Sequence, residues 1–555
     1  VGTNSAALED GPAKISISNG LATLDVAQTT NDIGVGDVID FGASNIQVFI
    51  WDVVSPTQFR VQTSIGTLPA DATNQDVNFI KRAFNSITDA VVHSGDATWN
   101  GISYLGDFDL TNVNRKLTWV CYKDGPLLEE VQINGYTTDA FRFTTLTVAG
   151  ATQVVGGVSQ RHTGTAGTGT VLRPQAGSGI KLQDAYGVVE WLEIDGSDMG
   201  SGTPYGIDDD GTGGDYGSYR NLLVHDFDQD QNAACLYFES NGNEIRNTIA
   251  YSCGRGVRFK FGDNNELYNS TFYDIIEVGV YATDSSVGNV VQNVIAVGSV
   301  QEDFLEASGA DFGTFDNNIS EDNTASLYGG TNNQTSVSPV SLFESLAPAS
   351  IDLHLRPGAS AIDAGLSQAT SFTNDIDDQA RHLGNAWDIG ADETGYSPVK
   401  TNYRSIGTAA DYVNVGTLTL TAGSSAVTGS GTGWLTANRG RGDRLSVGAN
   451  DYVILSVDSD TQLTLDRLAV ATTTTGTYTI ARQFTTLGAW ENCVDGGPCP
   501  YFGVTSSSLV SDDRAEVGVA YADSTFTGTL VIDGSTTDAT HTITLTADGA
   551  NRHYG

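Results

Sequence analysis

Methionine occurs once in 555 residues, at Met199, and lysine plus arginine number only 27. Against 67 aspartates and glutamates, that leaves a formal net charge of −40. Such a surface repels phosphate backbones and anionic headgroups, which argues against nucleic-acid and membrane-surface binding. Hydrophobic runs of membrane-spanning length are missing, so no membrane insertion is expected. No signal peptide begins at Val1, so the sequence reads as a mature form or a segment of something longer. Cysteines number five, an odd count. Cys493 and Cys499 flank a tight VDGGP turn, and they either close a local disulfide or stay as two thiols. Cys121, Cys235 and Cys253 are expected to pack as small buried residues. No phosphate-loop or dinucleotide glycine pattern precedes a helix, which argues against nucleotide chemistry.

What the chain does have is glycine (64 residues), threonine, serine and asparagine in abundance. That composition reads as an all-β, turn-rich protein of the extracellular or cell-surface kind, and the length requires several domains. It also holds a long internal repeat. NGYTTDA (Asn134–Ala140) returns as DGSTTDA (Asp533–Ala539), and the opening Val1-Gly-Thr returns as Ile406-Gly-Thr. GVGDVIDFG (Gly34–Gly42) matches GRGDRLSVG (Gly440–Gly448), and DVVSPTQFRV (Asp52–Val61) matches SVDSDTQLTL (Ser456–Leu465). FIKRAF (Phe79–Phe84) matches TIARQF (Thr479–Phe484), VCYKD (Val120–Asp124) matches VAYAD (Val519–Asp523), and QRHTG (Gln160–Gly164) matches NRHYG (Asn551–Gly555). The order never changes, and the offset drifts only from 405 to 391, as loop insertions would cause. One β-rich module is therefore expected twice, at 1–165 and 406–555, the second after a linker at 394–405.

Between the copies, at 166–393, runs a shorter period. RNLLVHD, RNTIAYS, YNSTFYD, QNVIAVG and DNNISED place asparagines at 221, 247, 269, 293 and 317, spaced by 26, 22, 24 and 24. A second asparagine sits four residues earlier in three of them, at Asn243, Asn265 and Asn289. A period in the low twenties, with an asparagine at a bend between β-segments, predicts a parallel β-helix. Equivalent residues then stack at the strand spacing of ~4.8 Å, and the asparagines are structural. The passage DLHLRPGASAIDAG (Asp352–Gly365), DIDDQAR (Asp375–Arg381) and WDIGADE (Trp387–Glu393) resembles the closing segment of secreted right-handed β-helix proteins of the pectate-lyase-like class. The duplicated module resembles the β-rich unit that precedes such helices in phage fibres and large surface proteins. The fold class this implies is all-β, a right-handed parallel β-helix flanked by two cap modules.

Carbohydrate-active proteins of this kind work on an outer face of the helix. Stacking the coils puts Lys181, Asp208, Tyr237, Arg258 and Tyr281 in one outward column and Gln183, Asp210, Glu239, Lys260 and Thr283 in the next. A lyase would use Lys260 or Tyr281 as base and Arg258 as the clamp on a uronate carboxylate, with Glu239 beside them. A solvated face of paired charges is the simpler expectation, and no catalytic residue is favoured. Asp208, Asp210, Asp215, Asp226 and Asp228, in DDDGTGGD and HDFDQDQ, are candidates for a weak calcium site, although neither stretch has a recognised calcium-loop spacing. No other cofactor is expected. His162 and His225 lack sequence partners for a zinc or nucleophile site. The functional expectation is a structural unit that self-associates head to tail in an extracellular fibre or surface protein. The alternative is a polysaccharide lyase, hydrolase or tailspike, or an adhesin that binds glycan without cleaving it.

Overall fold

A computed structural model describes the chain except at residues 201, 212, 349, 385, 395–399, 423, 449, 468, 500–505, 513, 524, 528, 539–540 and 554–555. It divides into two compact units, Val1–Tyr396 and Ser397–Gly555. Five residues of the expected linker, 395–399, and the last two of the NRHYG match lie outside the described residues. Among the described residues no helix is long and apolar enough to cross a membrane.

Unit 1 opens with a closed antiparallel barrel of six strands between Lys14 and Lys81. Alternation builds it: Ile15, Ile17, Ala22, Leu24, Phe59 and Val61 point inward while their neighbours meet solvent. A short helix, Ile87–His93, follows, with the Ser86 side chain capping the Asp89 amide. From Leu117 onward the backbone coils into three parallel sheets, so the ladder starts inside the stretch that the sequence assigns to the cap. The first sheet runs from Val131–Ile133 to Glu302–Glu306, the second from Leu117–Cys121 to Thr314–Asp316, and the third from Val171–Leu172 to Ile319–Ser320. Inward residues such as Leu236, Val257 and Val280, or Val224, Ala250 and Phe272, stack into one continuous core.

The periodic asparagines have a conformational cause. Asn221, Asn247, Asn269, Asn293 and Asn317 all adopt positive φ, between 41° and 57°, at the corner between the second and third sheets. Asparagine tolerates this left-handed region better than any residue except glycine, and its short side chain is free to bond the backbone. All five donate Nδ2 to a carbonyl of the closing passage: Asp375, Asn374 (2.7 Å), Asp388 (3.1 Å), Leu366 (2.7 Å) and Ala364 (2.8 Å), respectively. That passage covers the outer side of the third sheet, where Leu223, Ile249, Ile295 and Ile319 pack against Leu353, Leu355, Ile376 and Ile389. The other set forms a buried ladder of its own. The Asn243 amide donates to Asn265 Oδ1 at 2.9 Å, and the Asn265 amide to Asn289 Oδ1 at 3.0 Å.

Two cysteine assignments change. Cys235 and Cys253 do not pack as separate thiols but form a disulfide, because strands of the first and third sheets bring their Cα atoms to 5.8 Å inside the coil. Cys493 and Cys499 are also bridged, which resolves the alternative left open by their spacing, and Cys121 is a buried free thiol. Closing an 18-residue separation restricts the unfolded chain by about 3 kcal/mol. The double variant Cys235→Ala, Cys253→Ala is expected to lose up to about that much stability, read as an earlier denaturant midpoint of unit 1.

The module duplication is visible atom by atom. In unit 1, Arg82 is buried between Asp37 (2.8 Å) and Asp124 (2.9 Å) with its guanidinium 3.5 Å above the Tyr122 ring. In unit 2, Arg482 holds Asp443 (2.8 Å) and Asp523 (2.9 Å) and lies 3.4 Å above Tyr521. The Tyr122 amide donates to Val1 O, and the Tyr521 amide to Ile406 O, both at 2.9 Å. A side chain at Gly2 or Gly407 would strike the Asp124 or Asp523 carboxylate, near 2.1 and 2.2 Å, which explains the repeated glycine. Bulk is exchanged at one site: Trp119 sits on the strand of unit 1 with Ala90 on its helix, whereas Trp490 sits on the helix of unit 2 against Gly518 on the strand.

Candidate functional site

The outer face of the first sheet carries both columns expected from stacking. Lys181, Asp208, Tyr237, Arg258 and Tyr281 are successive partners in register, followed by Leu305. Lys260 pairs with Thr283 in register and with Glu239 through its side chain, while Gln183 Nε2 reaches Asp210 at 3.3 Å. Arg258, Lys260, Tyr281 and Glu239 are thus brought together on one face.

Most of their charges pair with one another, although the Arg258 Nε is buried without a hydrogen-bond partner. Lys181 Nζ meets Asp208 at 3.1 Å, and Lys260 Nζ meets Glu239 at 2.7 Å and the Tyr237 hydroxyl at 3.1 Å. Tyr237 itself donates to Glu239. Burial, reinforced by the Glu239 carboxylate, raises the Tyr237 phenol above its ordinary value. Arg258 lies 5.7 Å from the Tyr237 ring and 5.6 Å from that of Tyr281, with Asp284 at 3.5 Å. The Tyr205 and Tyr237 rings stack at 4.4 Å. A lyase base must reach the substrate proton. Lys260 Nζ is instead engaged by the Glu239 carboxylate and the Tyr237 hydroxyl.

The five calcium candidates do not assemble. Asp208 and Asp210 belong to the first-sheet side, Asp215 accepts the Asn241 amide (2.8 Å), and Asp226 bonds His225 at the third sheet. Asp228 is exposed in the turn that follows. The reason is the coil itself, which turns from the first sheet to the third between Asp208 and Asp226. Where the described residues do gather three possible metal-ligand atoms, the groups are Glu193–Asp195–His225, Asp375–Asp377–Asp392 and Glu491–Asp495–Asp533.

His225 therefore has partners beyond its sequence neighbour Asp226. Its Nε2 lies 3.2 Å from Glu193, its Nδ1 2.9 Å from Asp226, and its ring stacks on Tyr251 at 5.0 Å. Burial opposes a charge there, but these carboxylates outweigh it and lift the histidine to about 9. The register Asp195–His225–Tyr251 was the available signal, one coil apart each time. His162 differs: burial lowers it to about 4, and it accepts the Gly164 amide on Nδ1.

Asp209, beside the outward column, is fully buried, and desolvation raises its carboxyl to about 7. A folded-state value above the unfolded one means the contribution is fully present below about pH 4 and lost as pH rises through about 7. Asp209→Asn is expected to raise the melting temperature of unit 1 at pH 8 and to leave it nearly unchanged at pH 4, as followed by scanning calorimetry.

Residues 176–342 match the family described as "Right handed beta helix region". Among solved structures, the chain is similar to the catalytic domain of a GH87 alpha-1,3-glucanase in complex with nigerose, at 13% identity and a TM-score of 0.28. That likeness covers 57% of this chain and spans 58% of the glucanase chain. Pectate lyase Pel9A is similar at 13% identity over 50% of this chain and 86% of that one, with a TM-score of 0.25. No curated protein gives a significant match. With its coils, closing passage and family match together, the central region of this chain is a right-handed parallel β-helix.

Proposed function

We propose that the chain is a structural repeat unit of an extracellular fibre or surface protein whose units join head to tail. The carrying observation is the duplicated module, which repeats a buried Arg–Asp–Asp–Tyr centre once in each unit. Such centres are costly to desolvate and geometrically exacting, so their double occurrence supports one building block used serially. A β-helix end exposes unpaired N–H and C=O groups, and a module seated on it turns that liability into a directed junction. Two disulfides and the strong negative charge fit an oxidising, extracellular setting. Electron micrographs of the native material test the reading: thin fibres are expected, and isolated monomeric particles would remove it.

A second reading, glycan recognition, is favoured by the row of Tyr237, Arg258 and Tyr281 on an outer face. Planar rings and a guanidinium suit sugar faces and uronate carboxylates. A glycan array and a screen for unsaturated products on uronate polymers separate binding from cleavage. Loss of either signal in Arg258→Ala, Lys260→Ala would locate the site.

A further inference from the structure

A cavity of about 510 Å³ lies in unit 1 beside strand Leu117–Cys121, with Phe49, Trp51, Phe84, Tyr104 and Trp119 among its lining residues. That strand is the last of its eight-stranded sheet. Leu117 donates its amide to Phe143 O, and Cys121 accepts from the Ala149 amide, so the odd-numbered residues bond the neighbouring strand. Ladder alternation turns the backbone groups of Thr118 and Val120 the other way, toward the cavity. On that side, among the described residues, Val1 alone continues the ladder, its nitrogen 2.6 Å from Val120 O.

Unit 2 shows the same place filled. Strand Lys400–Ile406 runs parallel to Arg514–Ala520 over its whole length, and Ile406 occupies the position of Val1. Within it, Ser405 donates its amide to Gly442 O and accepts from the Phe484 amide, both at 3.0 Å. Their counterparts in unit 1, Gly36 and Phe84, line the cavity. Besides Trp119 standing where unit 2 has Gly518, the polar partners differ between the two places. Arg404 is buried against Glu516 (2.8 Å) and Gln483 (3.5 Å), whereas the matching residues of unit 1 are Leu117 and Ala83, both on the cavity wall.

We infer that this cavity is a strand-acceptor site, filled by the linker strand of a preceding copy of the repeat unit. The strand adds in parallel ahead of Val1 and carries an apolar residue where Lys400–Ile406 has Arg404. A guanidinium there would lie buried beside Leu117 and Ala83 without a carboxylate, which disfavours it by the loss of a charge partner. Added backbone hydrogen bonds supply affinity, and the apolar wall supplies selectivity. This rests on the repeat-unit reading and specifies its junction.

The test extends the full chain ahead of Val1 with Lys-Thr-Asn-Tyr-Leu-Ser, with Lys-Thr-Asn-Tyr-Arg-Ser, or with a scrambled version of the first. Hydrogen exchange over Leu117–Cys121 is read in each, with the melting temperature of unit 1 as a check on folding. The leucine strand is expected to slow exchange of the Thr118 and Val120 amides at least tenfold relative to the scrambled one, and the arginine strand to slow it less. Equal exchange in the leucine and scrambled chains, both folded, would overturn the proposal. The free acetylated leucine peptide forms a further arm: protection by it supports a donor on a separate molecule, and protection by the fused strand alone supports a donor joined through a peptide bond. Fibres in micrographs alongside an unprotected strand would sink the acceptor site and leave the repeat-unit reading standing.

Discussion

Replacing Arg82 by alanine is expected to destabilise unit 1 by roughly 3–5 kcal/mol, because Asp37 is then left buried without its partner. The arginine closes four contacts at once: Asp37, Asp124, the Asp32 carbonyl at 2.9 Å and the Tyr122 ring. Arg482→Ala should cost unit 2 a comparable amount, since Asp443 is equally buried. The pH response follows from desolvation. Without Arg82, burial drives the Asp37 carboxyl further above its unfolded value, so the penalty shrinks as pH falls toward that unfolded value. Denaturant melts at pH 8 and pH 4.5 measure both effects. A penalty below 1 kcal/mol at pH 8 would show that the centre does not hold the module together.

Arg381→Met should release the closing passage, at a cost again of about 3–5 kcal/mol. Arg381 and Glu393 are fully buried partners at 3.0 Å. The same guanidinium donates to Gly390 O (3.0 Å), Ala391 O (2.7 Å) and the ladder residue Asn247 (3.3 Å). Its loss leaves Glu393 charged in the interior, so Arg381→Met combined with Glu393→Gln should recover part of the cost. Limited proteolysis after Arg356 reads the release directly. An unchanged cleavage rate in the single variant would contradict the assigned role.

Periodicity made much of this architecture legible. The asparagine spacing and the outward columns both follow from residues that recur at fixed intervals, because a coil converts sequence period into spatial neighbours. Lys181 to Tyr281 could be aligned for that reason. What escaped were contacts between positions with no shared period. The Cys235–Cys253 bridge joins strands of two different sheets, and the asparagine grip on residues 364–388 joins the ladder to a non-repetitive passage. The start of the ladder at Leu117 was hidden because its first coils share sequence with the duplicated module. The contact between His225 and Glu193 is hidden because the two lie 32 positions apart in sequence.

The asparagine grip also sets how unit 1 responds to force. Ladder hydrogen bonds run along the helix axis, so an axial pull loads them in series and would peel coils one at a time. Five asparagines tie five successive coils to a single strip of backbone alongside. Under tension that strip acts as a side strut, so these coils should rupture in one step rather than several in optical-tweezers traces.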